Sequence, residues 1–221
     1  MAQTTTEIAL LPLKPDVDLE QGDAKGIWQG MLKTIASQKG YQKLYWGVKV
    51  EDKETAVLVV VWDSLESHNA FSSSPAYQPF LENIKPILAG PAHIFHARFP
   101  AEYAEPNPLT APVTECINAY FSASHSEAEY TANFAQFRSE GEKIPDIEAV
   151  GMTGAFSIEA HEHENLGEGE QGKLFAAFVG WPSVEAHLAF RKTEEFAKII
   201  GLLRGGAKGL KVWHVAFREY A

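Results

Sequence analysis

The sequence contains a single cysteine, no long apolar run and no cluster of basic residues. Because Cys116 is the only cysteine, an internal disulfide is excluded, and the composition favours a reducing compartment. The longest apolar run, Ala56 to Trp62, is too short to span a bilayer. The N-terminus lacks the basic segment and long apolar stretch of a secretory signal. We therefore predict a cytoplasmic protein without a membrane partner.

The chain is acidic, with a formal net charge of −10 from 19 Lys and Arg residues and 29 Asp and Glu residues. An acidic chain repels phosphate backbones, so nucleic acid is not expected as a partner. The sequence also lacks the glycine-rich dinucleotide and phosphate loops, the G-x-S-x-G turn and the H-E-x-x-H zinc motif. We therefore predict no cofactor.

An internal repeat is the strongest feature that is present. Residues 62–71 read W-D-S-L-E-S-H-N-A-F, and residues 181–190 read W-P-S-V-E-A-H-L-A-F, which gives six identities in ten at one offset. Near the ends of the two halves, I-F-H-A-R-F (94–99) faces V-W-H-V-A-F (212–217). A duplicated module is the economical explanation.

Each half has the same predicted order of elements, β-α-β-β-α-β, which is the ferredoxin-like pattern. The proline-containing stretch before the second half predicts a linker. We therefore expect a first module at residues 1–104, a linker at 105–112 and a second module at 113–221. The predicted fold class is α+β, with two ferredoxin-like βαββαβ repeats.

A four-stranded sheet with helices on one face must bury its other face. The two sheets are therefore predicted to pack together within one chain, as an intrachain dimeric α+β barrel. This pseudo-dimer leaves a further homodimer open.

The motif W-x-S-x-E-x-H-x-A-F, followed by S-P-A-Y-Q-P-F at 74–80, resembles the dimeric α+β barrel superfamily. The resemblance is to fungal proteins with tandem domains like the antibiotic-biosynthesis monooxygenases, and to the related stress-responsive barrels. It implies a ligand cavity between the sheet and the helices of each module. Related members often carry a histidine where this chain has Phe71, matched by Phe190. A haem-binding role is therefore ranked lowest.

The candidate catalytic residues are three histidines at repeated positions and one strand tyrosine, because imidazole is the commonest general base at neutral pH: His96, His214, His68 and Tyr45. The candidate ligand-binding residues are Trp46, Tyr77, His187, Asn118, Tyr120 and Trp213. The histidines could instead tie the helix starts to neighbouring strands, the aromatic residues could form core, and Asn118 could be a structural hydrogen-bonding residue. The first half is favoured because its polar and aromatic groups are denser.

The second half contains an acidic insert at residues 161–172, H-E-H-E-N-L-G-E-G-E-Q-G. Its H-x-H pair suggests a metal, but structural zinc would need a third spaced ligand. We predict no metal site and expect the insert to be exposed and mobile. Small strand residues of this half, such as Gly151 and Gly154, could open space for a ligand.

Two functional hypotheses follow, and whether the chain is an enzyme stays open between them. The first is a small-molecule enzyme of secondary metabolism, which carries out cofactor-independent oxygenation, cyclisation or rearrangement of an aromatic or polyketide-like substrate. The alternative is a non-catalytic barrel that binds a hydrophobic ligand or responds to stress. Both predict a small hydrophobic or aromatic molecule as the partner.

Overall fold

The computed structural model describes residues 4–101 and 104–221 and divides them into two compact units. The first unit comprises residues up to Arg98 together with Arg218–Ala221, and the second comprises Phe99–Phe217. The last four residues of the chain therefore belong to the first unit.

The first unit follows the β-α-β-β-α-β order, with its second helical region split in two. Its elements are β1 (Thr5–Pro12), α1 (Gly22–Ala36), β2 (Tyr41–Val48), β3 (Thr55–Trp62), α2 (Leu65–Ser72), α3 (Tyr77–Ile84) and β4 (His93–Ala97), with a 3-10 turn at Lys85–Ile87.

The second unit repeats the order, with one extra short strand and a second helical region split in three. After a 3-10 turn at Pro108–Thr110, its elements are β5 (Val113–Phe121), α4 (Glu127–Gly141), β6 (Val150–Phe156), β7 (His161–Glu162), β8 (Gln171–Trp181), α5 (Val184–Phe190), α6 (Glu194–Ile199), α7 (Gly201–Arg204) and β9 (Gly209–Val215). The strand β10 (Arg218–Glu219) follows and joins the first unit.

Both sheets are antiparallel and have the same strand order. The first sheet runs β10-β2-β3-β1-β4, and the second runs β6-β8-β5-β9, with β7 added on β8. In each repeat the first and third strands are central, and the fourth lies beside the first. The predicted fold of two ferredoxin-like repeats is confirmed.

One face of each sheet packs against the helices of its own unit. In the first unit, alternate residues of the central strands join a core with fully buried Trp28 and Leu32 of α1. In the second unit, Phe134 of α4 and Phe175 of β8 lie in the corresponding core. Side chains on the opposite faces are buried as well, which explains the unbroken apolar runs of β3 and β8. The packing of one sheet against the other stays a prediction.

Neither of the longest helices, α1 and α4, exceeds 15 residues, and within the described ranges no helix has the length and apolar character needed to cross a membrane.

The acidic insert is more ordered than its composition predicts. His161 and Glu162 form β7, which pairs with Gly172 and Gln171 of β8. His161 is buried, and its Nε2 atom lies 3.0 Å from the hydroxyl of Ser157. The expectation of an entirely exposed insert is therefore wrong at His161, because strand pairing carries this residue onto the sheet, whereas Glu162 is exposed.

Candidate functional site

Four side chains meet at one end of the first sheet, and we call them the first tetrad: Glu7, Trp62, His68 and His96. All four are buried. The indole Nε1 of Trp62 donates a hydrogen bond to Oε2 of Glu7 at 2.9 Å, and Nε2 of His68 lies 3.6 Å from the same oxygen. The other nitrogen of His68, Nδ1, lies 2.7 Å from Nε2 of His96. The result is a continuous polar chain within an apolar core.

The second repeat contains the same arrangement, which we call the second tetrad: Glu115, Trp181, His187 and His214. Trp181 donates to Oε2 of Glu115 at 3.2 Å, and Nε2 of His187 lies 3.3 Å from Oε1 of Glu115. Nδ1 of His187 lies 2.7 Å from Nε2 of His214. The duplication thus preserved the residue types and the contacts between them, although the tryptophan and the histidine share one carboxylate oxygen of Glu7 and contact different oxygens of Glu115.

Local structure explains why the tetrads form. Glu7 lies directly opposite His96 in the β1–β4 register, so both side chains point to the helix face of the sheet. The hydroxyl of Ser64 accepts a hydrogen bond from the backbone N–H of Ser67 and caps the start of α2. That cap fixes His68 one turn into the helix, with its ring 5.4 Å from the Trp62 ring. Ser183 caps α5 in the same way and fixes His187.

A cavity lies between the sheet and the helices in each unit. The first cavity has a volume of about 630 Å³, and Glu7, Trp62 and His68 line it together with Phe71 and Tyr77. Its other walls are mainly apolar.

The second cavity has a volume of about 330 Å³, and Glu115, Trp181 and His187 line it. Gly154 does not enlarge this space, because a Cβ atom there would come within 2.5 Å of the Phe175 ring. In both cavities the histidine on the helix lines the space. The histidine on the strand lies behind the helix histidine and contacts its ring.

The remaining candidates lie away from the sheet–helix cavities. Tyr45 is buried on β2 between Leu44 and Trp46, which both belong to the core on the helix side, so alternation places Tyr45 on the other face. Trp46 packs edge-on against Trp28, with ring centroids 5.5 Å apart.

The three candidates in the second unit also lie away from the cavity. Asn118, Tyr120 and Trp213 are buried and alternate with residues that face the helices, so they lie on the opposite face of the second sheet. Tyr120 contacts the ring of His163 there, at 4.3 Å between centroids. The structure therefore brings together the four candidate histidines in two pairs, with Tyr77 beside one of them.

The comparisons with known proteins bear on the fold and on part of the first repeat. Residues 25–83, from α1 to the end of α3, match the family model described as antibiotic biosynthesis monooxygenase. The first repeat is therefore similar to this family over the matched segment. The matched segment includes Trp62 and His68 of the first tetrad. No curated protein sequence matches the chain.

Solved structures match the chain as a whole. An anthrone oxidase-like protein is similar over 98% of this chain and 93% of its own, with 13% identity and a TM-score of 0.71. A candidate monooxygenase from Fusobacterium nucleatum subsp. nucleatum has 12% identity, coverage of 99% and 94%, and a TM-score of 0.63. One from Lactobacillus acidophilus has 11% identity, coverage of 99% and 96%, and a TM-score of 0.60. At these identities the likeness shows the fold, and the full coverage fits the tandem architecture.

Burial changes the acid–base behaviour of the second tetrad. Desolvation raises the pKa of Glu115 to about 7, although the hydrogen bond from Trp181 and the charge of Arg191 act in the opposite direction. Desolvation also lowers the pKa of His187 to about 4, with the charges of His214 and Arg191 adding to the effect. Near neutral pH, His187 is therefore uncharged and Glu115 is close to its midpoint. Such a pair can accept or release a proton at little cost.

In the monooxygenase-like first repeat, the raised pKa belongs to a cavity tyrosine. Burial raises the pKa of Tyr77, and the negative charge of Glu7 adds to the shift. Tyr77 therefore keeps its proton at neutral pH and can donate a hydrogen bond to a ligand.

The first tetrad also has the donor types of a metal site, since one carboxylate and two imidazoles offer ligand atoms within 4.8 Å of one another. In the observed arrangement, however, the facing nitrogens of His68 and His96 are at hydrogen-bond distance. The observed distance fits two imidazoles that share a proton. In the insert, His161 contacts Ser157 and His163 contacts Tyr120, so the two rings serve separate packing roles.

Sequence reasoning missed the two glutamates and gave the two tryptophans no role at the site. A signal for the glutamates was present: Thr6-Glu7 and Thr114-Glu115 repeat the same dipeptide within apolar strands. A carboxylate on the core face of a strand needs a partner. The repeated tryptophan and histidine of each half are the partners that the structure supplies.

Proposed function

We propose that the monooxygenase-like first repeat carries out cofactor-independent oxygenation, or a related acid–base rearrangement, of a flat aromatic substrate. The reaction would take place in the first cavity, within secondary metabolism or detoxification. The observation that carries this proposal is the position of the Glu7–His68 pair, which faces a largely apolar space of about 630 Å³. A proton-accepting pair in a dry, shaped pocket is what carbanion chemistry requires.

The chemistry needs only the substrate, molecular oxygen and a base. The Glu7–His68 pair removes a proton from an activated CH2 group, and the resulting carbanion gives its electrons to O2 and forms a C–O bond. The peroxide anion then takes the proton back as a hydroperoxide, and loss of water leaves a carbonyl group. One oxygen atom enters the product and the other leaves as water, so electrons and atoms balance.

Each polar side chain has a distinct part in this scheme. His68 and Glu7 hold the proton, and His96 positions His68 through the 2.7 Å contact between their rings. Tyr77 lines the same cavity and offers its hydroxyl to the substrate oxygen that becomes an enolate. Stabilising that developing charge lowers the barrier.

The test uses anthrone, whose CH2 group is activated by two aromatic rings, and whose oxidation product is anthraquinone plus water. We expect the parent protein to consume O2 with anthrone above the protein-free rate. His68→Gln and Glu7→Gln should each lower kcat by about 10²-fold or more, the usual contribution of a positioned base. His93→Gln, an exposed histidine on the same strand as His96, is the matched control and should not change kcat.

The variant His187→Gln tests which cavity is the reaction site, because it alters the second tetrad and leaves the first unchanged. An unchanged rate supports the first cavity as the reaction site. A rate that falls only in His187→Gln contradicts that assignment, and an oxidation rate equal to the protein-free rate in the parent contradicts the oxygenase proposal.

A non-catalytic hydrophobic-ligand binder is the second candidate. The observation that favours it is the preservation of both tetrads with the same contacts, since a purely structural role would also keep both copies. This candidate predicts that His68→Gln lowers the melting temperature and leaves O2 consumption unaffected.

A further inference from the structure

The second cavity has an unusual charge for this acidic chain. The sequence contains five arginines, and three of them line this cavity: Arg138, Arg191 and Arg204. Among the described residues, the acidic side chains in its wall are Glu115 and Glu142. Arginine is therefore concentrated at one place on a protein with a net charge of −10.

The three arginines come from different helical segments and converge on one space. Arg138 lies in the last turn of α4, its side chain is only 16% exposed, and its Nε donates to Glu142 at 2.9 Å. Arg191 follows α5 directly and lies close enough to act on both Glu115 and His187. Arg204 ends α7. Glu142 balances one of these charges, and Glu115 is partly protonated near neutral pH.

The rest of the wall is aromatic. The rings contact one another edge to face, as in the 4.9 Å contact between Tyr130 and Phe175. These rings give the cavity a largely apolar wall beside the charged side chains. The aromatic residues that line the cavity are Tyr130, Phe134, Phe137, Phe175, Phe190 and Phe196.

The first cavity contains no arginine, and its wall includes the cationic side chain of Lys85 together with Glu7 and Glu82. The repeat offset of 119 puts Ser72 in the place of Arg191 and Lys85 in the place of Arg204. The buried residues of α1 are all apolar, and α1 contains no arginine. The arginines are therefore a property of the second repeat and are not required by the fold.

We propose that the second cavity is a binding site for a planar aromatic carboxylate. Its ring lies against the aromatic wall and its carboxylate contacts the arginines. The planar guanidinium matches a carboxylate with two parallel hydrogen bonds, and a partly buried arginine gains most from such a partner. This site is independent of the oxygenation proposed for the first cavity.

The experiment compares two ligands of equal shape, 2-naphthoate and its neutral analogue 2-naphthamide, by isothermal titration calorimetry. We expect the parent protein to bind the carboxylate at least tenfold more tightly, with the difference shrinking as salt is added. The double variant Arg138→Leu/Arg191→Ser, which removes two of the three guanidinium groups, should bind both ligands equally. Arg98→Leu removes one exposed arginine outside the cavity and should keep the preference.

Retained binding of 2-naphthamide shows that a variant is folded and its cavity intact. Arg138→Lys/Arg191→Lys keeps the charge but loses the planar fork, so an intermediate preference supports bidentate contact. Equal affinity for the two ligands in the parent overturns the proposal. So does a preference that survives in the double variant, or one that is lost instead in Lys85→Leu, which alters the first cavity.

Discussion

Glu115 and His187 show how burial sets the charge of individual side chains. The ordinary pKa of a glutamate is 4.5, and burial raises that of Glu115 to about 7. The folded state therefore binds more protons at this group than the unfolded state between these pH values, and its contribution to stability falls as the pH rises. His187 acts in the opposite direction, because its pKa is lowered from 6.5 to about 4, and its contribution falls as the pH drops below 6.5.

The pH dependence gives a prediction for Glu115→Gln. The amide keeps an oxygen to accept the Trp181 hydrogen bond but does not titrate. Relative to the parent, the variant should gain unfolding free energy as the pH rises from about 4.5 to 7, by roughly 3 kcal/mol at most, at 1.36 kcal/mol per pKa unit. Denaturant unfolding at pH 4.5, 6 and 8 measures this difference.

Glu168→Gln, an exposed carboxylate in the insert, is the control and should give a difference that does not depend on pH. A constant offset for Glu115→Gln across the range would contradict the raised pKa.

At this scale the sequence predicts half of the eight tetrad residues, namely the four histidines. The repeated histidines could be found because duplication marked both pairs. Tyr45, Asn118, Tyr120 and Trp213 were chosen for their chemistry, but strand alternation places them on the faces away from the helices. Successive residues of a strand point to opposite faces of the sheet, so a shift of one residue moves a side chain to the other face. Side-chain type alone does not tell which face a given residue occupies.

At the scale of secondary-structure elements, helix starts could be predicted where a side chain accepts a hydrogen bond from a free backbone N–H of the first turn. Ser64, Ser183 and Thr193 cap helices as their sequence positions suggest. The S-x-x-E pattern at Ser124 and Glu127 predicts a cap at Ser124, but the observed cap of α4 is Ser126. The Ser74-Pro75 pair predicts a helix start too, yet α3 begins at Tyr77 and has no side-chain cap. The break between α2 and α3 could be predicted, but the turn that makes it depends on packing around Phe71 and Tyr77.

The insert gives a prediction at the scale of elements. Replacing residues 161–170 with a short turn should lower the melting temperature by several degrees, since it removes β7 and the buried His161. It also removes the contact of His163 with Tyr120 and the hydrogen bond from Asn165 to the Lys208 carbonyl. A loss of about 1 kcal/mol shifts the melting temperature by about 4–8 °C in a small domain.

Thermal unfolding followed by circular dichroism is the measurement. Glu168→Gly, at an exposed position of the insert, should leave the melting temperature within a degree or two and serves as the control. If the shortened protein melts at the parent temperature, the packing of His161 and His163 contributes nothing to stability.

At the scale of the whole molecule, the internal duplication allowed the fold to be predicted from the sequence. The repeat predicts the order of elements twice, and the two sheets share one strand order. The return of the chain end to the first unit could not be predicted. Arg218 and Glu219 form β10 beside β2, and two-residue strands leave no periodic pattern in a sequence. Their placement depends on partners more than 170 residues away in the chain.

The chain end gives the last prediction. Deleting residues 218–221 should destabilise the first unit, because β2 then becomes an unpaired edge strand. The deletion removes the pairing of Arg218 with Trp46, the hydrogen bond from the Tyr220 N–H to the Leu44 carbonyl at 2.9 Å, and the packing of Tyr220 on the first core. Hydrogen exchange should therefore become faster in β2, with β6 of the second unit as the internal control.

The variant Arg218→Gln distinguishes the contribution of β10 backbone pairing from that of the Arg218 charge. It removes the ion pair with Glu20 and the stacking of the guanidinium over Trp46, whose ring centroid lies 5.3 Å away, but keeps the strand. Exposed ion pairs contribute little, so protection of β2 should change much less than in the deletion. Equal loss in both variants would mean that the Arg218 side chain holds the strand in place. Unchanged protection in the deletion would mean that the first sheet is complete with four strands, and that β10 adds no stability to it.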